Sequence, residues 1–112
     1  MNDAYFDYDS YDIRADAEGV LRSNASSLKD LFATYTDARV LVEGHCDERG
    51  TNEYNLALGD RRASAARDFL VNLGVSAAKL STVSYGEERP QCTTGDESCW
   101  QQNRRAHFAV AP

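Results

Sequence analysis

The sequence predicts an α/β fold, an α+β sandwich of the βαβαβ type, in which a mixed four-stranded sheet carries two main helices on one face. Three observations lead there. Four short runs are rich in β-branched or aromatic residues, two long stretches repeat their apolar residues at helical spacing, and the two kinds of segment alternate along the chain.

The first run, Ala4-Tyr-Phe-Asp-Tyr8, nearly alternates apolar and polar residues and reads as a short strand. From Ala17 onward Val20, Leu21, Ala25, Leu28, Leu31, Phe32 and Tyr35 form one helical stripe, with Asp16 and Glu18 in the first turn where the helix dipole favours acids. Arg39-Val-Leu-Val-Glu43 stops at Gly44 and reads as a strand buried on both faces. A second helix follows a polar loop. Thr51 or Asn52 can cap it, its stripe runs through Leu58, Arg62, Ala65, Ala66, Phe69, Leu70 and Leu73, and Gly74 before Val75 supplies a left-handed stop with an apolar contact. Leu80 to Tyr85 gives a third strand closed by Gly86, and Arg105 to Val110 a fourth. Right-handed crossovers between parallel strands then place both helices on the same side of the sheet.

With 112 residues and 42% hydrophobic content the chain can bury one modest core, so one domain over residues 1–112 is expected. Eighteen acidic against 12 basic side chains give a net charge of -6, which opposes the field a nucleic-acid binder needs. No apolar stretch approaches the roughly 20 residues that span a bilayer, and no secretory signal follows Met1. Cys92 and Cys99 lie seven apart in a polar segment, with Cys46 as a third cysteine. Their spacing suits either a small disulfide loop in an oxidising compartment or two free thiols in a reducing one.

The informative stretch runs from Glu43 to Ala63, out of a strand, through a polar loop and into a helix, which is where open α/β sheets bind ligands. Asp47 lies in the loop and Arg62 on the helix 15 residues later, so a carboxylate and a guanidinium can face one crevice and hold a zwitterion. The same pair equally suits a structural salt bridge. Arg62 falls on an otherwise apolar stripe, where an unpaired charge is costly, so it needs a partner. Asp9, at the exit of the first strand, reaches the crevice if that strand lies near the second. Tyr5, Phe6 and Tyr8 read as core. His45, Cys46 and Asp47, with Cys92, Cys99 or His107, are the candidates for a metal or nucleophilic site, but neighbours on a strand point to opposite faces and no zinc-type spacing is present. His45 reads instead as a loop anchor and His107 as a strand residue, and neither catalysis, a metal nor a cofactor is expected.

Tyr5 to Ile13, Glu43-Gly-His-Cys-Asp-Glu-Arg-Gly-Thr51, Tyr54-Asn-Leu-Ala-Leu-Gly-Asp-Arg-Arg-Ala63, Ser84-Tyr-Gly-Glu-Glu-Arg-Pro90 and Asn103-Arg-Arg-Ala106 together resemble the OmpA-like peptidoglycan-binding domain, in its peptidoglycan-associated lipoprotein branch. The resemblance covers nearly the whole chain. It implies non-covalent binding of the peptidoglycan stem peptide through meso-diaminopimelate, with Asp47 and Arg62 as the central contacts and Asp9, Arg49, Thr51, Leu58 and Arg104 in support. It further implies a periplasmic, outer-membrane-associated protein of the Tol-Pal system that also binds TolB. The lipobox cysteine and tether of such lipoproteins are not in this sequence, which leaves another OmpA-domain protein open as the parent. Some members of the family carry the Cys92–Cys99 pair, so a bridge with Cys46 free is expected in the periplasm.

Overall fold

The computed structural model describes residues 1–111. Its elements are β1 (Ala4–Tyr5), α1 (Ala15–Thr34), β2 (Arg39–His45), α2 (Asn52–Asn72), a 3-10 turn (Ala77–Lys79), β3 (Leu80–Gly86), α3 (Glu97–Asn103) and β4 (Arg105–Ala111). The strands form one sheet in the order β1-β4-β2-β3. β2 runs parallel to β3 and antiparallel to β4, with Gly44 opposite both Ser84 and Ala106, and β1 pairs antiparallel with β4.

Alternation along the strands decides which face is covered. Ala4, Val40, Val42, Ala106 and Phe108 point to one side, where they meet Leu21, Ala25 and Leu28 of α1 and Ala63, Ala66 and Leu70 of α2 in a single buried cluster. Both main helices therefore lie on that face. The opposite face of β2 is only half-buried at Leu41 and Glu43, which corrects the reading of this strand as buried on both sides. Those two side chains stand on the side the helices leave open.

α2 ends where its sequence requires. Gly74 has a φ of +96°, its N–H donates to the Val71 carbonyl, and the Val75 N–H reaches back to the Leu70 carbonyl at 3.1 Å. At the other end the Thr51 hydroxyl accepts from the Tyr54 N–H at 3.1 Å and caps the first turn. Midway, α2 touches the sheet more closely than side chains allow. A Cβ on Gly44 would fall 1.6 Å from the Gly59 carbonyl oxygen, so glycine at both positions lets helix and strand backbones meet. This approach sets Arg62, one turn further along, beside the end of β2.

Two segments depart from the sequence reading. β1 is shorter than Ala4–Tyr8: after Tyr5, Phe6 still bonds to Arg104, but the chain then turns at Asp7–Ser10, closed by the Ser10 N–H on the Asp7 carbonyl. The segment read as a plain loop before the last strand contains α3, started by the Asp96 carboxylate, which accepts from the Cys99 N–H. Cys92 and Cys99 are joined, with Cα atoms 5.4 Å apart. In the loop-entropy picture a closure of this length contributes about 2.5 kcal/mol. No helix among the described residues is long and apolar enough to cross a membrane.

Candidate functional site

The loop after β2, the start of α2 and the Asp7–Ser10 turn enclose a small cavity of about 40 Å³, lined by Tyr8, Asp9, Cys46, Asp47, Arg49, Gly50, Tyr54, Asn55, Leu58 and Arg62. Of the residues expected from sequence, Asp9, Asp47, Arg49, Leu58 and Arg62 meet here. Thr51 and Arg104 do not line it. Thr51 caps α2, while Arg104 lies buried behind Asp47, its Nε–H donating to the Phe6 carbonyl at 2.9 Å.

Arg62 is 1% exposed, and its partners are carbonyls. Its Nε–H donates to Ser10 at 2.8 Å, Nη1 to His45 at 3.0 Å and Nη2 to Asp7 at 3.0 Å. Burial lowers the guanidinium from its ordinary value, with the Asp47 charge opposing the shift. Arginine nonetheless stays protonated in proteins. Arg62 thus pins both ends of the turn that presents Tyr8 and Asp9 to the cavity. Five N–H groups less these three leave one uncommitted on each Nη. Among the described residues Arg62 forms no ion pair with Asp47, so the structural salt bridge that their spacing also suits is not made.

Asp47 is 4% exposed. Burial pushes its carboxyl up, but hydrogen bonds from the Arg49 side chain and backbone, with the Arg49 and Arg104 charges, outweigh this and hold it below the ordinary carboxylate value. The Arg49 backbone N–H and Nε lie 3.0 and 3.2 Å from one oxygen, and Nη2 lies 2.8 Å from the other. Arg104 Nη1, buried without a hydrogen-bond partner in the protein, stands 3.6 Å from that second oxygen. The Arg49 guanidinium is itself stacked between the rings of Tyr8 and Trp100, 3.9 and 4.1 Å from their centroids.

Asp9 reaches the cavity although β4 separates β1 from β2, because the turn carries it across rather than strand adjacency. It sits at a φ of +53°, a left-handed position that Asp tolerates, and accepts a hydrogen bond from the Tyr54 hydroxyl. Tyr8, read as core, is 57% exposed on the rim, whereas Phe6 is fully buried. Cys46 turns inward, donates its thiol to the Asn55 carbonyl at 3.2 Å, and is pushed up to about 11 by burial. It is free and protonated. His45 faces elsewhere, with Nε2 3.0 Å from Glu43 and its ring against Tyr85, so His45, Cys46 and Asp47 share no centre. His107, on β4, pairs with Asp3 just before β1.

Sequence reasoning missed Tyr54, Asn55, Gly50 and Trp100. Tyr54 lies on the stripe 54, 58, 62 and was legible had that stripe been continued one turn toward the N-terminus. Trp100 carried no such signal.

The sequence matches the OmpA family over residues 5–104. It is 57% identical over 102 residues to a peptidoglycan-associated lipoprotein of Mesorhizobium japonicum, covering 91% of this chain and 58% of that protein. A peptidoglycan-associated lipoprotein of Pseudomonas aeruginosa is 52% identical over 104 residues, 93% of this chain and 59% of that one. The chain therefore spans less than two thirds of these curated relatives. The crystal structure of the peptidoglycan-associated lipoprotein from Burkholderia pseudomallei superposes with a TM-score of 0.89 at 41% identity, over 99% of this chain and 91% of that one. The C-terminal domain of Helicobacter pylori MotB shares the fold, with a TM-score of 0.90 at 20% identity, over 100% of this chain and 85% of that one. On sequence and fold together, the chain belongs to the OmpA family.

Proposed function

We propose that this chain is a binding module for peptidoglycan, and that its cavity holds the zwitterionic end of meso-diaminopimelate in the stem peptide. One observation carries the reading: a buried carboxylate, Asp47, and a buried guanidinium with two unused N–H groups, Arg62, line the same cavity together with Asp9. The D-centre of the diamino acid bears one ammonium and one carboxylate, and these are the complements of Asp47 and of the Arg62 fork. An arriving ammonium exchanges with Arg49 at an Asp47 oxygen. The stacking of Arg49 between Tyr8 and Trp100 keeps the displaced guanidinium close by.

The names of the curated relatives support the wider role. In that role the domain lies in the periplasm, is joined to the outer membrane through a lipid anchor elsewhere in the full-length protein, and tethers that membrane to the cell wall as part of the Tol-Pal system. TolB is then its protein partner, on a surface overlapping the cavity. Arg104 and Thr51 act at one remove, Arg104 as counter-charge to Asp47 and Thr51 as the cap of the helix that carries Arg62.

Purified sacculi test the module directly. The domain is expected to sediment with them and to release no soluble fragments. Failure to sediment would leave a protein-interaction domain without cell-wall affinity, and release of muropeptides would mean a hydrolase.

A further inference from the structure

The cavity of about 40 Å³ has room for little more than an end group, since one water already needs about 10 to 15 Å³. The rest of any ligand has to leave through the mouth. Two depressions adjoin it. One, lined by Cys46, Glu48, Glu87, Pro90, Cys92, Thr93 and Asn103, shares only Cys46 with the cavity and presents two carboxylates. The other, about 300 Å³, is lined by Asp9, Tyr11, Tyr54, Ala57, Leu58 and Arg61 and shares Asp9, Tyr54 and Leu58 with it. The hydrogen bond from the Tyr54 hydroxyl to Asp9 forms the ridge between cavity and groove.

The groove is built for a ligand with an apolar surface and a negative charge. Tyr11 and Tyr54 are 43% and 52% exposed, and the Arg61 guanidinium lies over the Tyr11 ring, 5.5 Å from its centroid. Arg61 is exposed, and among the described residues it makes no ion pair. The acid beside it, Asp9, is already engaged by Tyr54. The groove thus offers one cation free of ion pairs, Arg61, with its single carboxylate, Asp9, held by Tyr54 at the edge shared with the cavity, where the depression on the other side offers two carboxylates and no cation.

We propose that this groove is a second subsite that takes the stretch of stem peptide adjoining the diamino acid, with Arg61 pairing the free carboxylate of the preceding γ-linked glutamate and Tyr11 and Tyr54 packing against the peptide. It rests on the reading of the Asp47–Arg62 cavity as the diaminopimelate pocket. A charge pair on a half-exposed aromatic rim contributes modestly, so the effect is a tuning of affinity.

Calorimetric titration separates the two subsites. Wild type, Arg61→Gln and Arg61→Lys are titrated with free meso-diaminopimelate, with L-alanyl-γ-D-glutamyl-meso-diaminopimelate, with the same tripeptide amidated at the glutamate carboxylate, and with the disaccharide-linked tripeptide. Wild type is expected to bind the tripeptide more tightly than the free diamino acid. Arg61→Gln should lose about two- to five-fold on the tripeptide and nothing on the free diamino acid, Arg61→Lys should recover part of the loss, and the amidated tripeptide should not distinguish wild type from Arg61→Gln. Equal tripeptide affinity in wild type and Arg61→Gln overturns the subsite while leaving the cavity reading intact. An Arg61 effect confined to the disaccharide-linked ligand assigns the groove to the glycan instead and also overturns it. Wild type that binds none of the four ligands removes the cavity reading and the subsite together.

Discussion

Replacing Arg62 with alanine is expected to cost about 3 to 5 kcal/mol of folding stability, a large share of what a domain of this size has. The guanidinium is buried, and three backbone carbonyls depend on it, those of Asp7, Ser10 and His45. Alanine takes the guanidinium from all three, leaving Asp7 only its longer bond from the Ser10 N–H at 3.3 Å, and opens space between α2 and the sheet, and a buried acceptor stripped of its partner costs about 1 to 3 kcal/mol. The turn bearing Tyr8 and Asp9 would also lose both of its anchors. Urea unfolding measures the effect as a fall in midpoint. A loss below about 1 kcal/mol would mean that water or other donors satisfy the three carbonyls, and Arg62 would not be the pin described above. Arg62→Lys keeps the charge without the fork, and it should fold better than the alanine variant yet still bind ligand poorly.

The largest effect on binding is expected at Asp47. Asp47→Ala should weaken a diaminopimelate peptide by about 2 to 5 kcal/mol, because it removes the only cavity carboxylate that is buried and leaves Arg104 with the half-exposed Glu97 as its counter-charge. Asp47→Asn keeps the shape and should lose nearly as much. The pH dependence has a definite sign. A carboxyl held below its ordinary value is stabilised in the ionised form, so its contribution to folding is present above the ordinary carboxylate range and lost as pH falls through the depressed folded value. Wild-type binding should accordingly stay flat through neutral and mildly acidic pH and fall only in strong acid. Normal retention of both variants on sacculi would show that Asp47 is not a ligand contact.

Much of this arrangement was legible in the residues because it depends on local pattern. Periodicity located four strands and two helices, and Gly74–Val75 marked the end of α2 to the residue. α3 was not legible: Glu97-Ser-Cys-Trp-Gln-Gln-Asn103 has no apolar stripe, and its start depends on the Asp96 cap. At the site, the charge of Arg62 on an apolar stripe signalled a missing partner. That its partners are carbonyls of a turn 52 and 55 residues away is tertiary information, as backbone acceptors carry no residue signature. The Tyr8–Arg49–Trp100 stack was hidden for the same reason, since it joins the first turn, the β2 loop and α3.

The central claim is that Asp47 takes the ammonium and Arg62 the carboxylate of one diamino acid end. Isothermal titration of the wild-type domain with three stem peptides tests it, one carrying meso-diaminopimelate, one carrying L-lysine, and one with the diaminopimelate carboxylate amidated. Lysine lacks that carboxylate, and the amide keeps its shape without its charge, so in both cases the Arg62 fork is desolvated with no anion to accept from it. The lysine and amidated peptides are expected to bind at least about ten-fold more weakly than the first, roughly 1.4 kcal/mol or more. Equal affinity for all three would contradict the assignment of Arg62, even for a domain that still sediments with the cell wall.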